Sequence, residues 1–374
     1  MKVLVLAPPL GATGGVQNYT KTLVRSLEQI LGVENVCLLA VPAEPRHSPD
    51  GEFSLSPFVK ARFLAGSVSK AISWRPQLVI CAHVGIAPIG RIIQRAMGAP
   101  YWVILYGIEV WGDIGTAKVR ALCDAERLVT ISNFTFNAAK LRHSLTNTNV
   151  SLLPPSIDVT NDQNSPAPTS SDSKTSSPIV LTVGRLVASE RYKGHDVMLD
   201  AWPAVLKRVP GAIYCIVGDG DDRPRLEARA RELKVTDSVR FAGAVSNKEL
   251  RDWYHRCRVF AMPARTDLDP RAPRGEGFGI VFLEAMMRGK PVVGPREGAP
   301  SEFIRSGEHG LLVNPADATE VAKALVELLE NEDRASQMGR TARAWVIQEF
   351  SEERFRQRLA EIIETKAGIK EKTH

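Results

Sequence analysis

Short runs of apolar residues alternate along the chain with longer stretches of amphipathic spacing. Val3–Ala7 is the first run, followed by Leu78–Cys81, 102–105 and 128–131. Continuous apolar runs of this length predict parallel strands buried on both faces. The stretches between them, such as 18–31 and 90–97, predict helices. This is the βαβ rhythm of a doubly wound sheet. The rhythm stops over 160–177, which is almost entirely Ser, Thr, Asn, Asp, Pro and Lys. Such a segment has too little apolar surface to offset its ordering entropy and reads as a flexible linker. The rhythm restarts at Ile179–Val183 and repeats at 212–217, 239–242, 259–262 and 291–293, with helices predicted over 196–208, 224–233, 247–257 and 319–330. The pattern therefore predicts two Rossmann-like sheets in series. In the last stretch, 352–365, Phe355, Leu359, Ile362 and Ile363 form one apolar helical face.

Length sharpens the division. At 374 residues the chain exceeds one ordinary core and suits two α/β domains. The expected boundaries are 1–158, a linker at 159–177, a second domain at 178–350, and a C-terminal helix and tail at 351–374, for which a crossing back to the first domain is one placement. No apolar run approaches the roughly 18 residues needed to span a bilayer, and the run at Val3–Ala7 is too short for a signal-peptide core. The five cysteines are scattered and never stand as C-x-x-C. That argues against a disulfide framework and a zinc site and places the protein in a reducing cytoplasm. The net charge of +6 comes without a dense Lys/Arg block, so nucleic acid is not an expected partner.

Three segments carry residues suited to chemistry. Gly14 and Gly15 follow the first strand and precede a helix beginning near Gln17. A glycine pair there lets backbone approach a ligand, and a helix N-terminus favours an anion. Alone, the pair serves equally as a tight turn. The spacing of Gly11, Gly14 and Gly15 departs from G-x-G-x-x-G, which disfavours a dinucleotide site. In the second domain, VGRL brings Arg185 just past the end of a strand, where doubly wound sheets bind ligands, and Lys193 and Gly194 follow. An arginine and a lysine neutralise a diphosphate leaving group without a metal cage, and no clustered Asp/Glu motif nearby demands a divalent ion. Two solvated loop cations would look the same. The most specific segment is EGFGIVFLEA, running from Glu276 to Ala285 but preceded by Gly275. Gly279, Ile280 and Val281 open a helix whose N–H groups face outward. Glu284 falls one turn into that helix, among apolar neighbours. A carboxylate there is costly without partners, and vicinal sugar hydroxyls are suitable ones.

Glu276 and Glu284, within EGFGIVFLEAMMRGKPVVG, resemble the E-x7-E motif of family 4 retaining glycosyltransferases of the GT-B fold (glycosyl transferases group 1). GGVQ at 14–17, VGRL with KG at 183–194, VGDG at 217–220 and GLLV at Gly310–Val313 stand in that family's order, so the resemblance covers nearly the whole chain. It implies two Rossmann-like domains facing each other across a cleft. It also implies that Gly14 and Gly15 lie at the donor diphosphate, with Gly15 in contact, and that Arg185 and Lys193 bind that diphosphate and stabilise its departure. Glu276 would hold hydroxyls of the transferred sugar, helped by backbone N–H groups of Phe278, Gly279 and Ile280. Glu284 would bind the ribose, and the backbone at Val245 would meet the base. The family needs no catalytic metal or cofactor. One departure stands out: where the family often has His-Gly after the strand ending at Leu105, this chain has Tyr106 and Gly107. Sugar identity is left open by that change. His83, at the end of the 78–82 run, is expected to face the same cleft, and His83 and Tyr106 are the candidate acceptor or sugar contacts.

The expected function is transfer of a hexose from a GDP- or UDP-linked donor to a glycan, lipid or lipid-linked acceptor. The rivals are a GT-B-like sugar-nucleotide epimerase and a non-catalytic sugar-nucleotide-binding protein. Lys60, Arg62 and Lys70 flank Phe63, Leu64 and Val68, and Arg91 and Arg95 flank Ile92 and Ile93. These read as basic amphipathic helices for peripheral contact with the inner face of a membrane, although ordinary surface helices look alike.

Overall fold

The computed structural model describes residues 1–11, 14–42, 56–146, 149–159 and 177–367; the 159–177 stretch read as a linker falls almost wholly outside them. The chain forms two compact units. One comprises Met1–Ser156, Pro270–Ala272 and Glu352–His374, the other Ile157–Asp269 and Pro273–Ser351.

The first unit is built on β1 (Val3–Ala7), β2 (Val36–Ala40), β3 (Leu78–Cys81), β4 (Tyr101–Leu105), β5 (Arg127–Thr130) and β6 (Val150–Leu152), all parallel, in the order β2-β1-β3-β4-β5-β6. Its helices are α1 (Gly15–Leu31), α2 (Pro57–Trp74), α3 (Ala87–Met97), α4 (Ile108–Trp111), α5 (Thr116–Cys123) and α6 (Asn133–His143). Strands β1, β3 and β4 are buried along their whole length, which is why they appear as unbroken apolar runs.

The second unit repeats the plan with β7 (Ile179–Val183), β8 (Ile213–Val217), β9 (Val239–Gly243), β10 (Val259–Ala261), β11 (Val292–Pro295) and β12 (Gly310–Val313), in the order β12-β11-β10-β7-β8-β9. Its helices are α7 (His195–Arg208), α8 (Arg223–Glu232), α9 (Asn247–Arg256), α10 (Ile280–Met287), α11 (Ala318–Glu330) and α12 (Glu332–Phe350). Three strands escaped the pattern. β2 carries the same apolar run, VCLLA, but lies half-exposed at a sheet edge; β6 has three residues; β12 opens on glycine.

Helix α13 (Glu352–Ala367) belongs to the first unit, although it is the last element in the chain. Its Phe355 is 2% exposed and meets Tyr19 of α1 edge-on at 5.4 Å. The Tyr19 hydroxyl donates to the Leu153 carbonyl at 3.0 Å, and Arg25 of α1 pairs with Glu352. The apolar face at 355, 359, 362 and 363 is thus buried, as its spacing requires.

The basic helices need a correction. Ile93 is fully buried, and Phe63 and Val68 pack against the core. Arg91 and Arg95 both pair with Asp124, at 2.6 and 3.6 Å, which neutralises part of their charge. What α2 presents outward is Phe58, 73% exposed, and Ile72, 60% exposed, with Lys60 and Arg62. No helix among the described residues is long and apolar enough to cross a membrane.

Candidate functional site

In the second sheet the strand order reverses between β7 and β10, so the loops leaving these two strands diverge. The crevice at their C-terminal ends is where open α/β sheets bind ligands. The loop after β7 carries Arg185 and Lys193, and the loop after β10 carries Glu276.

Backbone bonds clamp the first loop. Gly184 N–H donates to the Val217 carbonyl and Leu186 N–H to the Asp219 carbonyl, each at 3.0 Å, while Gly218 N–H donates to the Gly243 carbonyl at 2.9 Å. Gly218 has φ +137°, and a Cβ there would stand 1.9 Å from the Gly184 carbonyl oxygen. Only glycine lets these two backbones touch. The same clamp ties Gly243, at the end of β9, to Gly218, and half-buried Val245 follows two residues on.

Arg185 leads into a short 3-10 helix, Ala188–Lys193. Its Glu190 is buried and faces both cations: Oε1 accepts a hydrogen bond from Arg185 Nη2, and Oε2 forms an ion pair with Lys193 Nζ at 2.7 Å. The two cations differ in access. The Arg185 side chain is 70% exposed and that of Lys193 12%. The Lys193 stem runs back over Gly184, against the end of β7.

Glu276 is half-buried in the facing loop. Burial pushes its carboxyl above the usual range and Glu190 adds to that, while Lys193, the Gly279 N–H bonded to it and Arg185 draw it back. Gly279 caps α10 at φ +90°, and no side chain caps this helix start. Phe278 anchors the loop by stacking on Phe303 at 4.7 Å. One turn on, Glu284 accepts a 2.7 Å hydrogen bond from the Tyr254 hydroxyl. The embedded carboxylate therefore has a protein partner; burial still raises its pKa, and Tyr254 and Arg288 lower it. Tyr192, half-buried near Glu276 and Glu190, has its hydroxyl pKa raised by burial and then by those two charges.

The shift at Glu276 has a sign that kinetics will read. A raised pKa means that, as pH falls, this carboxylate is neutralised earlier than an ordinary glutamate. The neutral acid is the poorer acceptor for sugar hydroxyls. The acid limb of kcat/KM, which reports groups of the free enzyme, is expected above the ordinary glutamate value of about 4.3. A limb at that ordinary value would count against the role of Glu276.

In the first unit, Gly14 and Gly15 follow β1, which borders β3 at the reversal of strand order in this sheet. Helix α1 starts there without a side-chain cap, and a Cβ on Gly15 would meet nothing within 4 Å, so backbone at this point is open to a ligand. His83 follows β3. Its Nδ1 accepts from Gly85 N–H at 3.0 Å, and burial holds its pKa below the ordinary histidine value, with Glu109 opposing and Lys118 reinforcing the shift. Tyr106 is 7% exposed, packed edge-on to Tyr19 at 5.3 Å and stacked 6.5 Å from His83.

Glu190, Tyr192 and Tyr254 were not picked out from sequence. Glu190 carried a signal, its i,i+3 spacing to Lys193. Tyr254 carried none, being thirty residues from Glu284.

Residues 166–345 match the family of glycosyl transferases group 1. The chain is similar to the GDP-mannose-dependent alpha-(1-6)-phosphatidylinositol monomannoside mannosyltransferase of Mycobacterium tuberculosis strain H37Rv, 32% identical over 301 residues, which cover 74% of this chain and 73% of that protein. The Mycolicibacterium smegmatis protein of that name is 30% identical over 306 residues, covering 75% and 74%. Among solved structures, Anabaena Alr3699/HepE in complex with UDP superimposes with a TM-score of 0.78 at 20% identity, covering 98% of this chain and all of that one. The lipopolysaccharide outer core galactosyltransferase WaaB, in its apo form, does so with a TM-score of 0.76 at 15% identity, covering 98% and 100%. The shared fold is GT-B.

Proposed function

Because the chain belongs to the glycosyl transferases group 1 and is a glycosyltransferase, we propose that it moves a hexose from a GDP- or UDP-linked donor to a lipid or lipid-linked acceptor, with retention at the anomeric carbon and without a catalytic metal ion. The observation carrying this reading is the set of Arg185, Lys193 and Glu276 at the strand-order reversal of the second sheet. Two cations beside a carboxylate suit a sugar joined to a diphosphate: the cations meet the phosphates, the carboxylate meets hydroxyls. As the glycosidic bond breaks, negative charge grows on the diphosphate, and Arg185 and Lys193 stabilise it there. These side chains supply the positive charge that a divalent ion would otherwise bring. In a retaining transfer the leaving phosphate takes the acceptor proton on the face it departs from. The uncapped start of α10 offers N–H groups to sugar and phosphate oxygens.

The names of the mycobacterial relatives make GDP-mannose the first donor to test and an inositol lipid the first acceptor class. A lipid acceptor also fits α2, which exposes Phe58 beside Lys60 and Arg62 at its start and Ile72 at its end. The test is transfer from GDP-mannose and UDP-hexoses to a lipid extract, with and without EDTA, and NMR assignment of the product linkage. One donor should give an α-linked product at an unchanged rate in EDTA. A β-linked product from an α-linked donor would overturn retention, and loss of activity in EDTA would overturn metal independence. Epimerised nucleotide sugar without acceptor, or binding without turnover, would favour one of the two rivals.

A further inference from the structure

We propose that Glu190 is a positioning residue for the transfer, holding Lys193 in place for the donor diphosphate and releasing Arg185 to it. The inference rests on the reading of Arg185 and Lys193 as the diphosphate's partners. Glu190 is 9% exposed, and its two carboxylate oxygens are divided between two cations that a ligand would also claim. The division is unequal. The Lys193 side chain is 12% exposed, its stem lies over Gly184, and its ion pair with Glu190, at 2.7 Å, joins two sheltered groups. Arg185 is 70% exposed, so water already competes for its bond to Glu190, and a diphosphate can replace that bond without unpacking anything. A lysine stem has many rotamers, and one fixed carboxylate selects among them before the donor arrives. The same carboxylate places a negative charge beside the phosphates, which opposes binding of the donor in its ground state.

These two effects act on different kinetic quantities. In Glu190→Gln one carboxylate oxygen becomes an amide nitrogen, which cannot accept from a cation, and the charge is gone. Lys193 loses its fixed position, so kcat is expected to fall about 10–100-fold, the usual range for loss of a supporting partner. Nucleoside diphosphate affinity, read by titration calorimetry with GDP and UDP, is expected to stay level or rise. Glu190→Asp keeps the charge and should recover part of kcat. Parallel losses of kcat, affinity and thermal midpoint in Glu190→Gln would show a merely structural role and overturn the proposal, as would an unchanged kcat. Lys193→Ala serves as the separate check. If it loses kcat and Glu190→Gln does not, only the positioning role falls; if neither variant differs from wild type, the diphosphate reading falls and takes this inference with it.

Discussion

Lys193→Ala is expected to lower kcat about 10²–10³-fold, the loss that follows removal of one pre-placed electrostatic contact, or about 2.7–4 kcal/mol of barrier. The reasoning begins with burial. Lys193 is 12% exposed and its ammonium sits 2.7 Å from Glu190, so the charge is little screened by water. When the sugar leaves, the diphosphate gains negative charge, and a cation fixed beside it lowers the energy of that state more than that of the bound donor. Arg185→Ala removes a charge of the same sign from a side chain that is 70% exposed, and the smaller loss is expected there. The ordering is the test: kcat at saturating donor for both variants, with far-ultraviolet circular dichroism to establish folding. A folded Lys193→Ala with a kcat loss smaller than that of Arg185→Ala would place the leaving group at the exposed cation instead. Removing Lys193 also deprives the carboxylates of Glu190 and Glu276 of their shared sheltered partner, and Lys193→Met, which keeps the stem, separates packing from charge.

Gly218→Ala is expected to damage both stability and donor binding, although residue 218 touches no substrate in the reading above. Its φ of +137° is strained for any side chain, costing on the order of 1–3 kcal/mol. The added Cβ would stand 1.9 Å from the Gly184 carbonyl oxygen, a backbone atom that no rotamer change can move. Relief requires displacement of the Gly184–Arg185 backbone, and the hydrogen bond from Gly184 to Val217 holds that backbone in place. Arg185 is then misplaced, and Lys193, which lies over Gly184, loses its bed. Gly211→Ala is the control, since a Cβ there would meet only the Ser177 hydroxyl, at 4.0 Å. Thermal unfolding with and without GDP or UDP reads both effects. A Gly218→Ala protein with the wild-type midpoint and the wild-type ligand-induced rise would show that the clamp between the two turns has no role.

The candidate site was legible in part, and the reason differs by residue. Arg185, Lys193, Glu276 and Glu284 stand out because chemistry-bearing residues beside glycines at strand ends and helix starts form local patterns, readable within a dozen positions. Tyr254 was invisible because its tie to Glu284 spans two elements and leaves no trace in either segment. The buried clasp of Glu190 was half-visible: the spacing to Lys193 is local, but the burial that makes the charge matter comes from the turns packed around it. His83 and Tyr106 could be placed after their strands, yet only the folded chain brings their rings into a stack, 6.5 Å apart.

The fold divides along the same line. The alternation of buried runs and amphipathic stretches by itself determined two parallel-sheet α/β units, because a strand buried on both faces must be apolar throughout and a helix on a sheet must be apolar along one stripe. It could not determine the strand order that places β10 beside β7, nor the return of α13 to the first unit, since every parallel strand presents much the same apolar run to its neighbour. Those choices were made by long-range packing: Phe355 against Tyr19, and the pairing of Val259 with Val180 and of Phe260 with Leu181. Pairings of this kind are properties of shape and distance, and they exist only once the chain has folded.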